Sequence, residues 1–140
     1  MTDYKFYYPI QIKYSDLDPQ WHVNNARYLT FVESARLGYI QNLGLWDGKS
    51  FRDLGLIVAD ARITYLEPIF LEQSIRIGVC VTRIGNKSLD FVYQVEDSDI
   101  GKVLATATTI MVAYSYHSLS TISVTDEWRQ KIGQFEQFSS

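Results

Sequence analysis

The chain carries one cysteine, Cys80, so no disulfide can form within it. Cys80 lies between Val79 and Val81 in a strand-like run, with no base near it in sequence. That setting predicts a small packed residue rather than a nucleophile. Charge of one sign is scarce too. Thirteen basic residues stand against sixteen acidic ones, giving −3, and no Lys/Arg cluster occurs, which argues against a nucleic-acid partner. No apolar run is long enough to span a bilayer, and Met1 to Tyr8 shows no basic-then-apolar leader. The expectation is a cytoplasmic protein without a membrane partner. Internal repeats, linkers and low-complexity stretches are absent. A G-x-S-x-G elbow is missing, and with it the usual serine hydrolase.

What is present fits one domain over 1–140: 46% hydrophobic residues, 21% charged, and ten tyrosines, which hint at a pocket or a wet-edged interface. Phe6, Tyr8, Ile10, Ile12 and Tyr14 alternate with polar positions and predict a strand, with Pro9 marking an edge or irregular start. Tyr28, Phe31, Val32, Ala35 and Tyr39 fall at helical spacing, widened by Leu29, Ile40 and Leu43. Asn24 or Asn25 serves as N-cap and Gly44 as stop. So apolar a helix, about 30 Å long, needs to be wrapped. Strands follow over Ile57–Tyr65, Ile75–Val81, Leu89–Val95 and Val103–Tyr114, with Gly85-Asn86 and Asp97–Gly101 as turns. Thr125 caps a short C-terminal helix carrying Trp128, Ile132 and Phe135. Short turns between strands and one long helix make an α+β arrangement.

The most informative stretch runs from Ser15 to Thr30. Asp18 precedes a helix whose first N–H groups have no intrahelical partner, so a carboxylate and a site for developing negative charge lie close in sequence. Asp18 before Pro19 also reads as ordinary turn chemistry, and the two readings stand about even. On a strand Asp16 would point to the same side as Asp18. A metal site formed by these acids and His22 is not expected. Position twelve of an EF-hand loop would be Arg27 rather than glutamate, and His117 lies far along the chain. His22 reads first as a loop-ordering residue and second as a base. Asn24 and Asn25 read as caps for their side chains, whereas their backbone N–H groups form an anion site. Glu33 and Arg36, three apart, suit a local ion pair or one across an interface. Lys87 and Ser88 read as a solvated hairpin tip before they read as contacts to a phosphorylated carrier.

Asp16-Leu-Asp18, His22-Val-Asn24-Asn25, Tyr28 and Glu33-Ser-Ala-Arg36, in this order and spacing, resemble the hotdog-fold acyl-CoA thioesterases of the 4-hydroxybenzoyl-CoA thioesterase-like family. Ile63–Pro68 and Ile84–Ser88 look like further family segments, so the likeness spans about Ile10 to Tyr114. It departs at Trp21, where many members have glycine, whose backbone angles tryptophan resists. The resemblance implies a hotdog fold: an antiparallel five-stranded sheet wrapped around one long central helix, with a short C-terminal helix. It implies Asp18 as attacking or water-activating acid and the Asn25 N–H as carbonyl polariser, with His22, Asn24, Tyr28, Lys87 and Ser88 binding substrate. It also implies an acyl-CoA or acyl-carrier-protein substrate, no cofactor beyond the coenzyme A of that substrate, and self-association as dimer or tetramer. An acyl-thioester dehydratase and a non-catalytic acyl-CoA-binding module on the same fold are the alternatives. Asp18 before the helix favours hydrolysis, and the lack of a basic DNA-binding segment counts against a regulator.

Overall fold

The computed structural model describes residues 3–138, so the first two and last two positions of the 1–140 domain lie outside the described residues. The elements are β1 (Tyr7–Ile10), α1 (Asn25–Asn42), β2 (Leu56–Tyr65), β3 (Ile75–Ile84), β4 (Ser88–Asp97), β5 (Val103–Ser115), β6 (Ser120–Thr121) and α2 (Asp126–Glu136). They form one antiparallel sheet in the order β1-β3-β4-β5-β2, with the two-residue β6 added on β5, so the expected five strands become six. The chain is not a plain meander. β2 pairs with β5 at the far side of the sheet, and residues 66–74 carry the chain back to β3.

The first strand is shorter than its alternation suggests. Pairing stops at Ile10, and Tyr14–Asp16 form a 3₁₀ turn in which the Lys13 N–H donates to Asp16 Oδ2 at 2.8 Å. Pro9, which lacks an N–H, is tolerated because β1 is an edge strand.

One face of the sheet carries the core. Ile75, Ile77, Val79 and Val81 of β3, Leu89, Phe91, Tyr93 and Val95 of β4, and Ala105, Ala107 and Met111 of β5 are all buried there. Tyr28, Phe31, Val32, Ala35, Tyr39 and Ile40 of α1 pack into the same cluster. The Tyr39 ring meets Phe91 edge-on at 5.8 Å and Phe135 of α2 at 5.6 Å. α1 has 18 residues, about 27 Å at 1.5 Å per residue, and is buried on one face only, with Leu29 47% exposed. The expectation of a helix wrapped on most sides is corrected here. Beyond Leu56 no residue of β2 is buried, so that end of the sheet stays open within the chain.

The outer face of β5 is mixed rather than apolar. A register shift beside Glu96 and Val103 turns Leu104 inward, leaving Thr106, Thr108 and the 39%-exposed Ile110 outside.

α2 begins as expected, with Thr125 Oγ1 accepting the Trp128 N–H at 3.3 Å. Its far end is held by Glu136, whose carboxylate accepts the Val81 N–H at 3.0 Å and the Tyr39 hydroxyl at 2.6 Å. The Cys80 thiol contacts the same carboxylate at 3.5 Å. Burial, then the nearby Glu136 charge, pushes that thiol up to about 12. Cys80 is therefore packed and protonated at neutral pH, in keeping with its strand setting.

Candidate active site

The segment between β1 and α1 is folded on itself by a short bridge between Leu17 and Val23. Asp18 sits at its neck. Its backbone N–H donates to His22 O at 2.8 Å, and its carbonyl accepts the Trp21 N–H at 3.0 Å. Asp18 Oδ1 accepts the N–H groups of Gln20 at 2.8 Å and His22 at 3.3 Å. The turn reading of Asp18 is therefore true for one carboxylate oxygen. Among the described residues Oδ2 accepts no hydrogen bond, so the same turn that fixes the carboxylate leaves one oxygen for other chemistry. The half-buried setting of Asp18 keeps that oxygen reachable.

The start of α1 is anchored from several sides. Asn24 Oδ1 accepts the Ala26 N–H at 3.0 Å, which makes Asn24 the N-cap and Asn25 the first helical residue. The Asn24 N–H donates to Asp16 O at 2.8 Å, and the Arg27 N–H to Asn24 O at 2.8 Å. On the other side the Tyr65 hydroxyl, at the end of β2, donates to Asn25 O at 3.2 Å. Among the described residues the Asn25 N–H makes no hydrogen bond, as expected of an uncapped donor at a helix start.

Asp18 and Asn25 line one pocket of about 330 Å³ together with His22, Tyr28, Tyr65 and Glu67. His22 is half-buried with its ring edge-on to Phe70 at 5.1 Å. Tyr28 is buried and packs edge-on against Tyr65 at 4.8 Å. Burial first, then Tyr65, pushes the Tyr28 hydroxyl up to about 12, so it stays a neutral donor in the physiological range.

Three expected placements are not met within the chain. Asn24 does not line the pocket, because its side-chain oxygen is used by the cap. Asp16 does not share a face with Asp18: it is buried in the 3₁₀ turn and pairs with Arg27 at 3.6 Å. Lys87 and Ser88 are not brought to Asp18 within the chain either. Ser88 pairs with Val112, whereas the Asp18 pocket lies at the Tyr65–Ala105 end, seven residues or roughly 24 Å along β5. Lys87 instead reaches Thr121 Oγ1 at 3.5 Å. Among the described residues no cluster of three potential metal ligands occurs.

Sequence reasoning missed Tyr65 and Glu67 as pocket residues. The signal was a tyrosine ending β2 just before Glu67-Pro68, but nothing local says that this strand end returns to the start of α1.

Solved structures share this fold. A Thermus thermophilus thioesterase complexed with coenzyme A and Zn superposes with a TM-score of 0.85 at 25% identity, over 99% of this chain and 100% of that one. A Synechocystis 1,4-dihydroxy-2-naphthoyl-CoA thioesterase gives 0.80 at 18% identity, over 91% and 94% of the two chains, and speaks for the fold alone. In sequence the chain is 28% identical over 127 residues to the long-chain acyl-CoA thioesterase FadM of Escherichia coli, covering 89% of this chain and 95% of that protein. Fold and sequence together define a hotdog-fold thioester hydrolase. The thioesterase-like superfamily matches residues 12–132, and the chain belongs to it.

Proposed function

We propose that the protein hydrolyses the thioester of a small-molecule acyl-CoA, with Asp18 as the reacting carboxylate and the Asn25 N–H as oxyanion donor. One observation carries the reading: a carboxylate fixed through Oδ1 with Oδ2 unspent shares a pocket with the first residue of α1. A substrate carbonyl near the Asn25 N–H would gain negative charge in the transition state where a fixed donor and the helix dipole favour it. Oδ2 can attack the carbonyl carbon, expelling coenzyme A thiolate and forming a mixed anhydride that water then opens. It can equally take a proton from water while that water attacks. Both routes end in a carboxylic acid and a thiol, and neither needs a strong acid for the leaving group, because a thiolate leaves readily.

Tyr28 and His22 are assigned to substrate positioning at the pocket wall. The coenzyme A in the Thermus structure and the acyl-CoA named for FadM support coenzyme A as carrier. Two copies are expected to associate. The support is β2, a ten-residue edge strand with an unpaired outer side and exposed Val58 and Tyr65. Lys87 and Ser88 would then reach coenzyme A only in a site formed with a second copy. The function is tested by thiol release over a panel of acyl-CoAs of graded size. Turnover of at least one is expected, and none at micromolar enzyme overturns the reading.

A further inference from the structure

Tyr28 is 2% exposed, yet its hydroxyl makes no hydrogen bond among the described residues. A tyrosine so buried ordinarily gives its hydroxyl a partner. Every enclosed side-chain polar atom among the described residues does have one, so this hydroxyl is not enclosed. It opens on the cavity that Tyr28 lines, which also holds Asp18 and Asn25. Helix geometry gives the direction. Tyr28 lies one turn after Asn25 in α1, on the same face, and a helical side chain leans back over the turn toward the helix start. The ring is held there, packed edge-on against Tyr65 at 4.8 Å, and the Tyr65 hydroxyl in turn donates to Asn25 O at 3.2 Å. Burial, then Tyr65, pushes the Tyr28 hydroxyl up to about 12, so it is a fixed and neutral donor on the side of the pocket that carries the Asn25 N–H.

A thioester oxygen that takes up negative charge has lone pairs for two donors, and the backbone at the start of α1 supplies one. We propose that the Tyr28 hydroxyl is the second donor to the substrate's carbonyl oxygen and completes an oxyanion site with the Asn25 N–H. This rests on the thioesterase reading and gives Tyr28 a part in the reaction beyond the pocket wall. Attack by Asp18 Oδ2 or by water forms the new C–O bond, and the carbonyl π pair moves onto oxygen between the two donors. As the carbonyl reforms, the C–S bond breaks and its electron pair leaves on sulfur. The tyrosine proton is shared and not transferred, so a hydroxyl that resists ionisation suits the task.

Tyr28→Phe removes the donor and keeps the ring and its contact with Tyr65. Because the hydroxyl has no partner in the chain, the melting temperature should stay level or rise. For the best acyl-CoA substrate kcat should fall about 10²-fold, the lower end for a lost oxyanion donor, with KM within about threefold. Two inhibitors separate this role from that of a plain wall. Trifluoroacetonyl-CoA, whose ketone becomes tetrahedral when attacked, should lose affinity about in step with kcat/KM. S-propyl-CoA, a thioether with no carbonyl, should bind Tyr28→Phe and wild type alike. Near wild-type kcat in folded Tyr28→Phe, or equal weakening of both inhibitors, overturns the second donor and leaves the thioesterase reading standing. A wild type that hydrolyses no acyl-CoA overturns both.

Discussion

Removing the Tyr65 hydroxyl tests whether the start of α1 is held for catalysis. The Asn24–Asn25 peptide, which carries the proposed oxyanion donor, is tied on one side by Asn24 N–H to Asp16 O at 2.8 Å. On the other it is tied by the Tyr65 hydroxyl to Asn25 O at 3.2 Å. Tyr65→Phe deletes the second tie and keeps the ring that packs edge-on to Tyr28. The bond is neutral and Tyr65 is 46% exposed, so its stability value lies at the low end for such bonds, about 0.5–1 kcal/mol. For a chain of this length that corresponds to a fall of roughly 2–4 °C in melting temperature. If the same energy is lost from transition-state alignment, kcat falls about two- to fivefold. KM should move less, since the pocket-lining ring of Tyr65 stays in place and only the tie to Asn25 O is lost. Steady-state kinetics beside a thermal melt gives both numbers. An unchanged kcat together with the expected loss in melting temperature would refute the positioning role and leave Tyr65 purely structural.

Asn24→Ala should cost about 1 kcal/mol of stability by uncapping α1, while substrate KM shifts only slightly; a tenfold KM change with an unshifted melt would return Asn24 to the substrate. Cys80 and Tyr28 are pushed up to about 12 from 9.0 and 10.0, so the native state keeps them protonated where the unfolded chain would ionise. Their contribution to stability is complete below about pH 9 and is lost as pH rises toward 12. Melting temperature should fall progressively over that window, and a flat profile from pH 8 to 11 would contradict it. Light scattering with activity across a dilution series should show at least a dimer at micromolar concentration and loss of activity on dissociation; a fully active monomer would remove the shared site.

The long elements could be read from the chain because their patterns are local. Asn24 and Gly44 bracket α1, Thr125 starts α2, and the alternation of β3 and β4 survives intact. Other features depend on contacts between distant residues. Alternation through Ile12 and Tyr14 continues past the strand, but Tyr14–Asp16 close a 3₁₀ turn that the Asp16 side chain stabilises. The pairing of β2 with β5 rather than β3 is set by the 66–74 connection, which has no periodicity to read. A register shift turned Leu104 inward, and alternation alone cannot show a bulge. At the site, Asp18 and Asn25 were visible because seven residues separate them, whereas Tyr65 arrives from forty residues away. Trp21 stands out in the sequence, but only the structure shows that it takes the left-handed backbone glycine favours, φ +67°.

The central claim is that the Asp18 carboxylate carries the hydrolysis. Asp18→Asn is nearly isosteric and retains an oxygen able to accept the Gln20 and His22 N–H groups, so the loop should keep its shape. The measurement is kcat for thiol release from the best acyl-CoA of the panel, with wild type and His22→Ala alongside. A loss of at least about 10²-fold in folded Asp18→Asn, the scale of a removed acid–base group, and a smaller loss in His22→Ala are the predicted results. Near wild-type turnover in folded Asp18→Asn would contradict the account.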